Sequence, residues 1–192
     1  LTDTTNLNNP VSLFVSGRYA YVAAYSSNAL TVVDVSNPST PVFAGTVSDS
    51  TTLNGALGVF VSGRYAYVLA ATRLTVADVS NPAAPKVIGS LSDATNLSSP
   101  RRVFVSGRFA YVTTTDTNRL TVVDVSNPSS PVVAGTISDS TNLADAEGVF
   151  VSGRYAYVAA VTNSRLTIVD VNNGYGKMVV IGSVSDAVNL KS

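Results

Sequence analysis

One tetrapeptide, FVSG, occurs four times in this chain, beginning at Phe14, Phe60, Phe104 and Phe150. The intervals are 46, 44 and 46 residues, and similar segments flank every copy on both sides. A repeated unit of this length cannot bury its apolar side chains alone, so consecutive copies must stack on one another. The repeat therefore constrains the fold more strongly than any local motif does.

Each unit contains four short runs rich in β-branched and aromatic residues, which predict four β-strands. In the first unit the runs read VSLFVS, RYAYVAA, LTVVDVS and VFAGTVS, with turn residues Ser16-Gly17 and Asn37-Pro38 between them. Apolar residues on both faces of a strand are typical of a sheet that lies between two others. The pattern predicts an all-β fold, a β-propeller built from four-stranded antiparallel blades with four blades in this chain. A β-solenoid is the alternative.

We expect one repeat domain over residues 1–192, with blades at about 8–53, 54–97, 98–143 and 144–190. The fourth copy departs from the others at residues 172–177, where Asn-Asn-Gly-Tyr-Gly-Lys replaces S-N-P-x-x-P. A drifted surface loop and a special contact with a neighbouring module both explain this change. The first and last residues, LTDTTNL and VSDAVNL, are copies of one segment, which indicates an array that continues. We therefore expect self-association, as a homo-oligomer or a head-to-tail array.

The third strand of each unit resembles the LVIVD repeat. It reads LTVVD at Leu30–Asp34 and Leu120–Asp124, LTVAD at Leu74–Asp78 and LTIVD at Leu166–Asp170. The flanking G-x-Y/F-A-Y-V and D-V-S-N-P-x-x-P segments are similar to that family too. The resemblance implies a cell-surface or secreted β-propeller without catalytic activity.

Composition narrows the functional classes. The chain has no His, Cys or Trp, and its 12 basic and 12 acidic residues leave a formal net charge of zero. Neutral charge argues against nucleic acid as a partner, and no apolar run is long enough for a membrane span. Without His or Cys, the commonest general base and the thiolate nucleophile are missing. We therefore predict no enzymatic activity and no cofactor.

Two charged positions recur with the blade and predict structural roles. The acidic position is Asp34, Asp78, Asp124 and Asp170, and the basic one is Arg18, Arg64, Arg108 and Arg154. An aspartate before S-N-P accepts backbone N–H groups of the following turn, although a ring of carboxylates is also a possible calcium site. The arginines are expected to pair with a carboxylate or carbonyl of a neighbouring blade, and carboxylate or glycan contacts are the alternative.

A second acidic series lies in the segments between blades, at Asp3, Asp49, Asp93, Asp139 and Asp186. Asx-turns explain it, and calcium ligation is the minor alternative. Asn96-Leu97-Ser98 is a possible N-glycosylation site in a predicted surface loop. Five residues without repeated counterparts are the places to look for a binding site: Arg101, Arg102, Asp145, Glu147 and Tyr175. Arg101-Arg102 is otherwise interpreted as a solvated patch.

From these features the sequence predicts a non-enzymatic, extracellular or cell-surface structural module, the repeating bead of a stalk or fibre. A glycan- or protein-binding adhesion propeller is the alternative, with glycans as further partners. Near-uniform repeats, neutral charge and the missing catalytic residue types support the first hypothesis.

Overall fold

A computed structural model of the chain describes residues 1–171 and 177–185. Within these residues the secondary structure is entirely β, and no helix there is long and apolar enough to cross a membrane. The sixteen strands are β1 (Pro10–Ser16), β2 (Tyr19–Ala24), β3 (Ala29–Asp34), β4 (Val42–Ser48), β5 (Ala56–Ser62), β6 (Tyr65–Ala70), β7 (Arg73–Asp78), β8 (Lys86–Ser92), β9 (Pro100–Ser106), β10 (Phe109–Thr114), β11 (Arg119–Asp124), β12 (Val132–Ser138), β13 (Ala146–Ser152), β14 (Tyr155–Ala160), β15 (Arg165–Asp170) and β16 (Val179–Ser185).

Consecutive groups of four strands form four separate antiparallel sheets, each ordered as in the chain. We call the sheets blade 1 (β1–β4), blade 2 (β5–β8), blade 3 (β9–β12) and blade 4 (β13–β16). The all-β prediction of four-stranded antiparallel propeller blades is confirmed. The expected loop change at residues 172–176 and the residues Asp186 and Tyr175 lie outside the described part of the chain.

Tight turns connect the first two strands of every blade. Ser16 pairs with Tyr19, so Gly17 and Arg18 alone form the turn, and Gly17 has a φ of 58°. Only glycine adopts this left-handed conformation without strain, which explains why the turn is built on it. Each first strand also contains a β-bulge near its start, at Val11 in β1, between Pro10 and Ser12.

The chain divides into two compact units, residues 1–92 with 128–130, and residues 93–127 with 131–192. In the first unit, Tyr21, Ala23, Leu30 and Val32 of blade 1 pack against blade 2. The facing side chains of blade 2 are Val59, Val61, Ala66, Val68, Ala77 and Val79. We call the face that packs on the following blade the trailing face, and the face that receives the preceding blade the leading face.

The second unit repeats this arrangement with blades 3 and 4. Tyr111, Leu120 and Val122 of blade 3 share a core with Val151, Ala156, Val158 and Val169 of blade 4. A buried leucine of the connecting segment completes each core, Leu53 in the first unit and Leu143 in the second. Each unit has a core of its own. The expectation that residues 1–192 form a single repeat domain therefore stays a prediction.

Glycines at the centres of β4 and β8 permit the close approach of the proline loop of the next blade. A Cβ atom added to Gly45 of β4 would lie 2.4 Å from the carbonyl oxygen of Pro82, in the proline loop of blade 2. Gly89 of β8 meets Pro128 in the same way, at 2.3 Å. Both clashes are with backbone atoms, which cannot rotate away.

We predict that Gly45→Val destabilises the fold by about 1–3 kcal/mol or more, since overpacking a close contact forces the backbone to move. The matched control is Gly182→Val in β16, because a Cβ there meets no atom of the described residues within 4 Å. Urea unfolding at low protein concentration measures both variants. Equal unfolding midpoints for Gly45→Val and Gly182→Val would contradict this prediction.

Candidate functional site

The repeated arginine and aspartate form an ion pair inside each blade. The pairs are Arg18–Asp34, Arg64–Asp78, Arg108–Asp124 and Arg154–Asp170. The strand register brings them together, because Tyr19 at the start of β2 is paired with Asp34 at the end of β3. The carboxylate therefore belongs to the arginine's own blade, whereas the sequence favoured a partner in a neighbouring one.

Each arginine also lies over the aromatic ring that follows it. The guanidinium carbon of Arg18 is 5.4 Å from the centre of the Tyr19 ring, and Arg108 is 5.6 Å from that of Phe109. Asp34 Oδ1 in turn accepts the backbone N–H of Ser36 at 2.9 Å. Carboxylate, guanidinium and ring thus fasten the first hairpin of a blade to the turn after its third strand.

The hydrogen bond from Arg18 holds the pKa of Asp34 well below its usual range, with further hydrogen bonds from Ser36 acting in the same direction. Asp78 has a lowered pKa for the same reasons, with Arg64 and Ser80 as its partners. A carboxyl group with a lowered folded-state pKa stabilises the fold above its unfolded pKa, and this stabilisation is lost as the pH falls.

The aspartates between blades fold the connecting segment into a single hydrogen-bonded turn. Asp93 Oδ1 accepts the backbone N–H groups of Thr95 and Asn96 at 3.0 and 2.9 Å, and its backbone oxygen accepts that of Leu97. Asp3, Asp49 and Asp139 accept the equivalent backbone pairs. In the described part of the chain, no three acidic side chains are grouped closely enough to hold a metal ion.

Asn96, the candidate glycosylation site, is part of this turn. Its Nδ2 donates to Asp93 Oδ2 at 2.8 Å, and its Oδ1 accepts from Arg119 Nη1 at 2.7 Å. The hydroxyl of Thr121, which is fully buried, donates to the backbone oxygen of Asn96 at 2.6 Å. A glycan attached to Asn96 would replace one of the two hydrogens on Nδ2, the atom that donates to Asp93. Glycosylation of Asn96 stays a prediction.

The bulge position of the first strand is the place where the blades differ most in chemistry. It is occupied by Val11 and Leu57 in the first unit, and by Arg101 and Glu147 in the second. A bulge re-aims its side chain away from the regular alternation, and bulges are over-represented beside active sites. In the second unit these two bulges lie on neighbouring blades and bring opposite charges together.

Arg101 Nε lies 3.3 Å from Glu147 Oε1. The Arg101 and Glu147 side chains are 43% and 35% exposed, so solvent and small solutes reach both. The Nε atom itself is buried and lacks an aligned hydrogen-bond acceptor within the described part of the chain. The pair is therefore an accessible carboxylate beside a guanidinium whose hydrogen-bonding capacity is not fully used.

The other singular residues have local explanations where the structure describes them. Asp145 occupies a left-handed position, with a φ of 54°, and donates its backbone N–H to Asn118 Oδ1 at 3.0 Å. Arg102 is exposed and donates from Nη1 to the backbone oxygen of Arg101 at 3.0 Å. The sequence identified Arg101 and Glu147 but not their pairing. Their common place, three residues before Phe104 and Phe150, is the signal that predicts it.

Comparison with protein families decides the classification. The LVIVD repeat model matches the chain four times, at residues 10–49, 55–93, 96–139 and 144–186. The chain belongs to the LVIVD repeat family. The resemblance of the third strand to that repeat is thus confirmed. No curated protein matches the sequence.

Solved structures share the fold of this LVIVD-repeat chain at low sequence identity. A candidate 6-phosphogluconolactonase from Bacteroides uniformis has a TM-score of 0.74 and 19% identity, covering 94% of this chain and 58% of that one. The periplasmic gluconolactonase of Pseudomonas aeruginosa has a TM-score of 0.75 and 18% identity, with coverages of 92% and 55%. Hydrazine synthase of Kuenenia stuttgartiensis has a TM-score of 0.69 and 20% identity, with coverages of 92% and 50%. The LVIVD-repeat chain thus spans between half and three fifths of the length of these structures.

These neighbours correct two predictions. The expectation of a non-enzymatic structural module or adhesion propeller, and with it the absence of enzymatic activity, is wrong, because fold neighbours are described as lactonases. The argument from missing residue types was too broad. Lack of His and Cys excludes triads that depend on them, but a carboxylate can activate water without either.

We predict that Asp34→Asn lowers stability at pH 7 and that its difference from the unmodified chain shrinks as the pH falls below about 4, the ordinary pKa of an unfolded aspartate. The reason is that the unfolded chain takes up a proton at this aspartate over that range, whereas folded Asp34 stays ionised in its ion pair with Arg18. Urea unfolding between pH 7 and pH 2.5 measures this. A difference independent of pH would contradict the assignment.

We also predict that Thr121→Val destabilises the fold by about 1–2 kcal/mol, since the backbone oxygen of Asn96 loses its buried donor. Thr40→Val, at an exposed position of the first proline loop, is the control and should leave stability unchanged. Thermal unfolding compares them, and equal midpoints would show that the Thr121 hydroxyl is dispensable.

Proposed function

We propose that this chain supplies part of the active site of a propeller enzyme that hydrolyses lactones, the cyclic esters of hydroxy acids. The observation that carries the proposal is the accessible Arg101–Glu147 pair on two bulges of neighbouring blades. Two fold neighbours supply the substrate class: one is a candidate 6-phosphogluconolactonase and the other a periplasmic gluconolactonase.

Hydrolysis of a lactone adds one water molecule and breaks one ester bond. In the proposed reaction, the Glu147 carboxylate accepts a proton from the water that attacks the ring carbonyl carbon. The Arg101 guanidinium donates hydrogen bonds to the carbonyl oxygen, on which negative charge develops. The C–O bond of the ring then breaks, the ring oxygen takes up the proton held by Glu147, and an open-chain hydroxy acid leaves.

The placement of the pair suits this chemistry. Arg101 lies close enough to hold the Glu147 carboxylate in position, yet Glu147 remains about one third exposed to the attacking water. Arg102, exposed beside them, is suited to a carboxylate or phosphate on the substrate, because guanidinium groups bind such oxygens in pairs.

We further propose that the protein works outside the cytoplasm. Two observations support this location, the LVIVD repeats along the whole chain and the periplasmic location in the name of the Pseudomonas aeruginosa neighbour. Absence of Cys is compatible with it, because no thiol would be oxidised there.

The test measures hydrolysis of glucono-δ-lactone and of its 6-phosphate, each corrected for spontaneous ring opening. Glu147→Gln should lower the catalysed rate by about 100-fold or more, the usual contribution of a general base. Asp116→Asn is the matched control, since Asp116 is an exposed acid of blade 3 that accepts from Ser98 and Ser99. Equal loss in both variants, or no catalysed rate in the unmodified chain, would refute the proposal.

A further inference from the structure

The leading face of blade 1 is exposed at positions that are buried in blade 2. Leu13 is 63% and Val15 is 53% exposed, although both are apolar. Their counterparts in blade 2, Val59 and Val61, are 6% and 5% exposed because the trailing face of blade 1 covers them. Blade 1 therefore presents a surface whose proper partner, elsewhere in this chain, is the trailing face of a blade.

The trailing face of blade 4 is exposed in the corresponding way. Phe150 is 58%, Leu166 is 39% and Val184 is 56% exposed. The counterpart of Leu166 in blade 1 is Leu30, which is fully buried, and that of Val184 is Val47, which packs against the first core. Within the part of the chain that the structure describes, no leading face covers these side chains as blade 2 covers their counterparts in blade 1.

The ring contacts between blades indicate how the missing partner would fit. Phe14 and Phe60 have ring centres 4.6 Å apart, and Phe104 and Phe150 have centres 4.9 Å apart. Each phenylalanine of the repeat thus contacts the next one inside a unit. Exposed Phe150 is positioned to contact one further phenylalanine.

Gly182 of β16 indicates where a proline loop of the missing partner would bind. The glycines at its position in blades 1 and 2, Gly45 and Gly89, are in close contact with the proline loop that follows. Among residues 1–171 and 177–185, no atom lies within 4 Å of a Cβ on Gly182, so none of them occupies the position that a proline loop takes on Gly45. The proline loop of blade 1, at Pro38 and Ser39, is exposed.

We infer that the trailing face of blade 4 binds the leading face of blade 1 of a second copy of this chain. The chain itself specifies the occupant, since the same interface already joins blade 1 to blade 2. In the assembled pair, Leu13 and Val15 of one copy cover Leu166 of the other, and the Pro38 loop sits on Gly182. The two surfaces are different, so the interface is heterologous and either closes into a ring or extends into a chain.

The first experiment measures the mass of the 192-residue chain against concentration by analytical ultracentrifugation. We expect concentration-dependent association, lost in Leu13→Glu and lost in Gly182→Val, with both variants folded by circular dichroism. The control is Val132→Lys: Val132 is 53% exposed, and blade 2 carries Lys86 at the same position. A monomer at all concentrations would overturn the inference, as would equal association of Gly182→Val and the unmodified chain.

A second experiment separates this interface from non-specific apolar association. Leu13→Glu blocks only the leading face of blade 1, and Gly182→Val blocks only the trailing face of blade 4. Each variant alone should be monomeric, while their mixture should form a 1:1 dimer through the two unblocked faces. Failure of the mixture to associate would show that these faces do not bind each other, whatever the outcome of the lactone assay.

Discussion

Stacking of sheets with two apolar faces is the interaction on which the rest of this structure depends. Both faces of a blade carry apolar side chains, whose exposure to water is unfavourable. Leu30 and Val32 of blade 1 are fully buried because they pack against blade 2. The spacing of the blades is fixed by the same contact, because the proline loop of blade 2 lies on a glycine backbone. The connecting segment must then be short and rigid, and the turn built on Asp49 with buried Leu53 satisfies that requirement.

This constraint also decides where sequence variation is possible. Strand residues that face a neighbouring blade are held to apolar side chains of similar size. A bulge residue leaves the alternation of its strand and escapes that requirement. The position therefore takes Val11 or Leu57 in one unit and Arg101 or Glu147 in the other without disturbing either core. Charged side chains therefore occur at a position that the packing between blades does not restrict to apolar residues.

The strands, their order and the turn glycines followed from the sequence, because period and turn residues act locally. The backbone contact of Asp34 was equally local, two residues along the chain. The partner of Arg18 was not predictable in this way, since the register of β2 on β3 decides it, sixteen residues away. The Arg101–Glu147 pair depends on two bulges and on the stacking of two blades, and no single segment encodes it.

Because the pair spans two blades, the proposed chemistry depends directly on the stacking. Arg101 belongs to β9 and Glu147 to β13, and these strands are joined by side-chain packing such as that of Phe104 on Phe150, not by a hydrogen-bonded ladder. A change that loosens the core between blades 3 and 4 would separate guanidinium from carboxylate before it unfolds either sheet. In the proposed enzyme, residues of this core that are not part of the pair, such as Leu143 in the connecting turn, would hold the two groups in position.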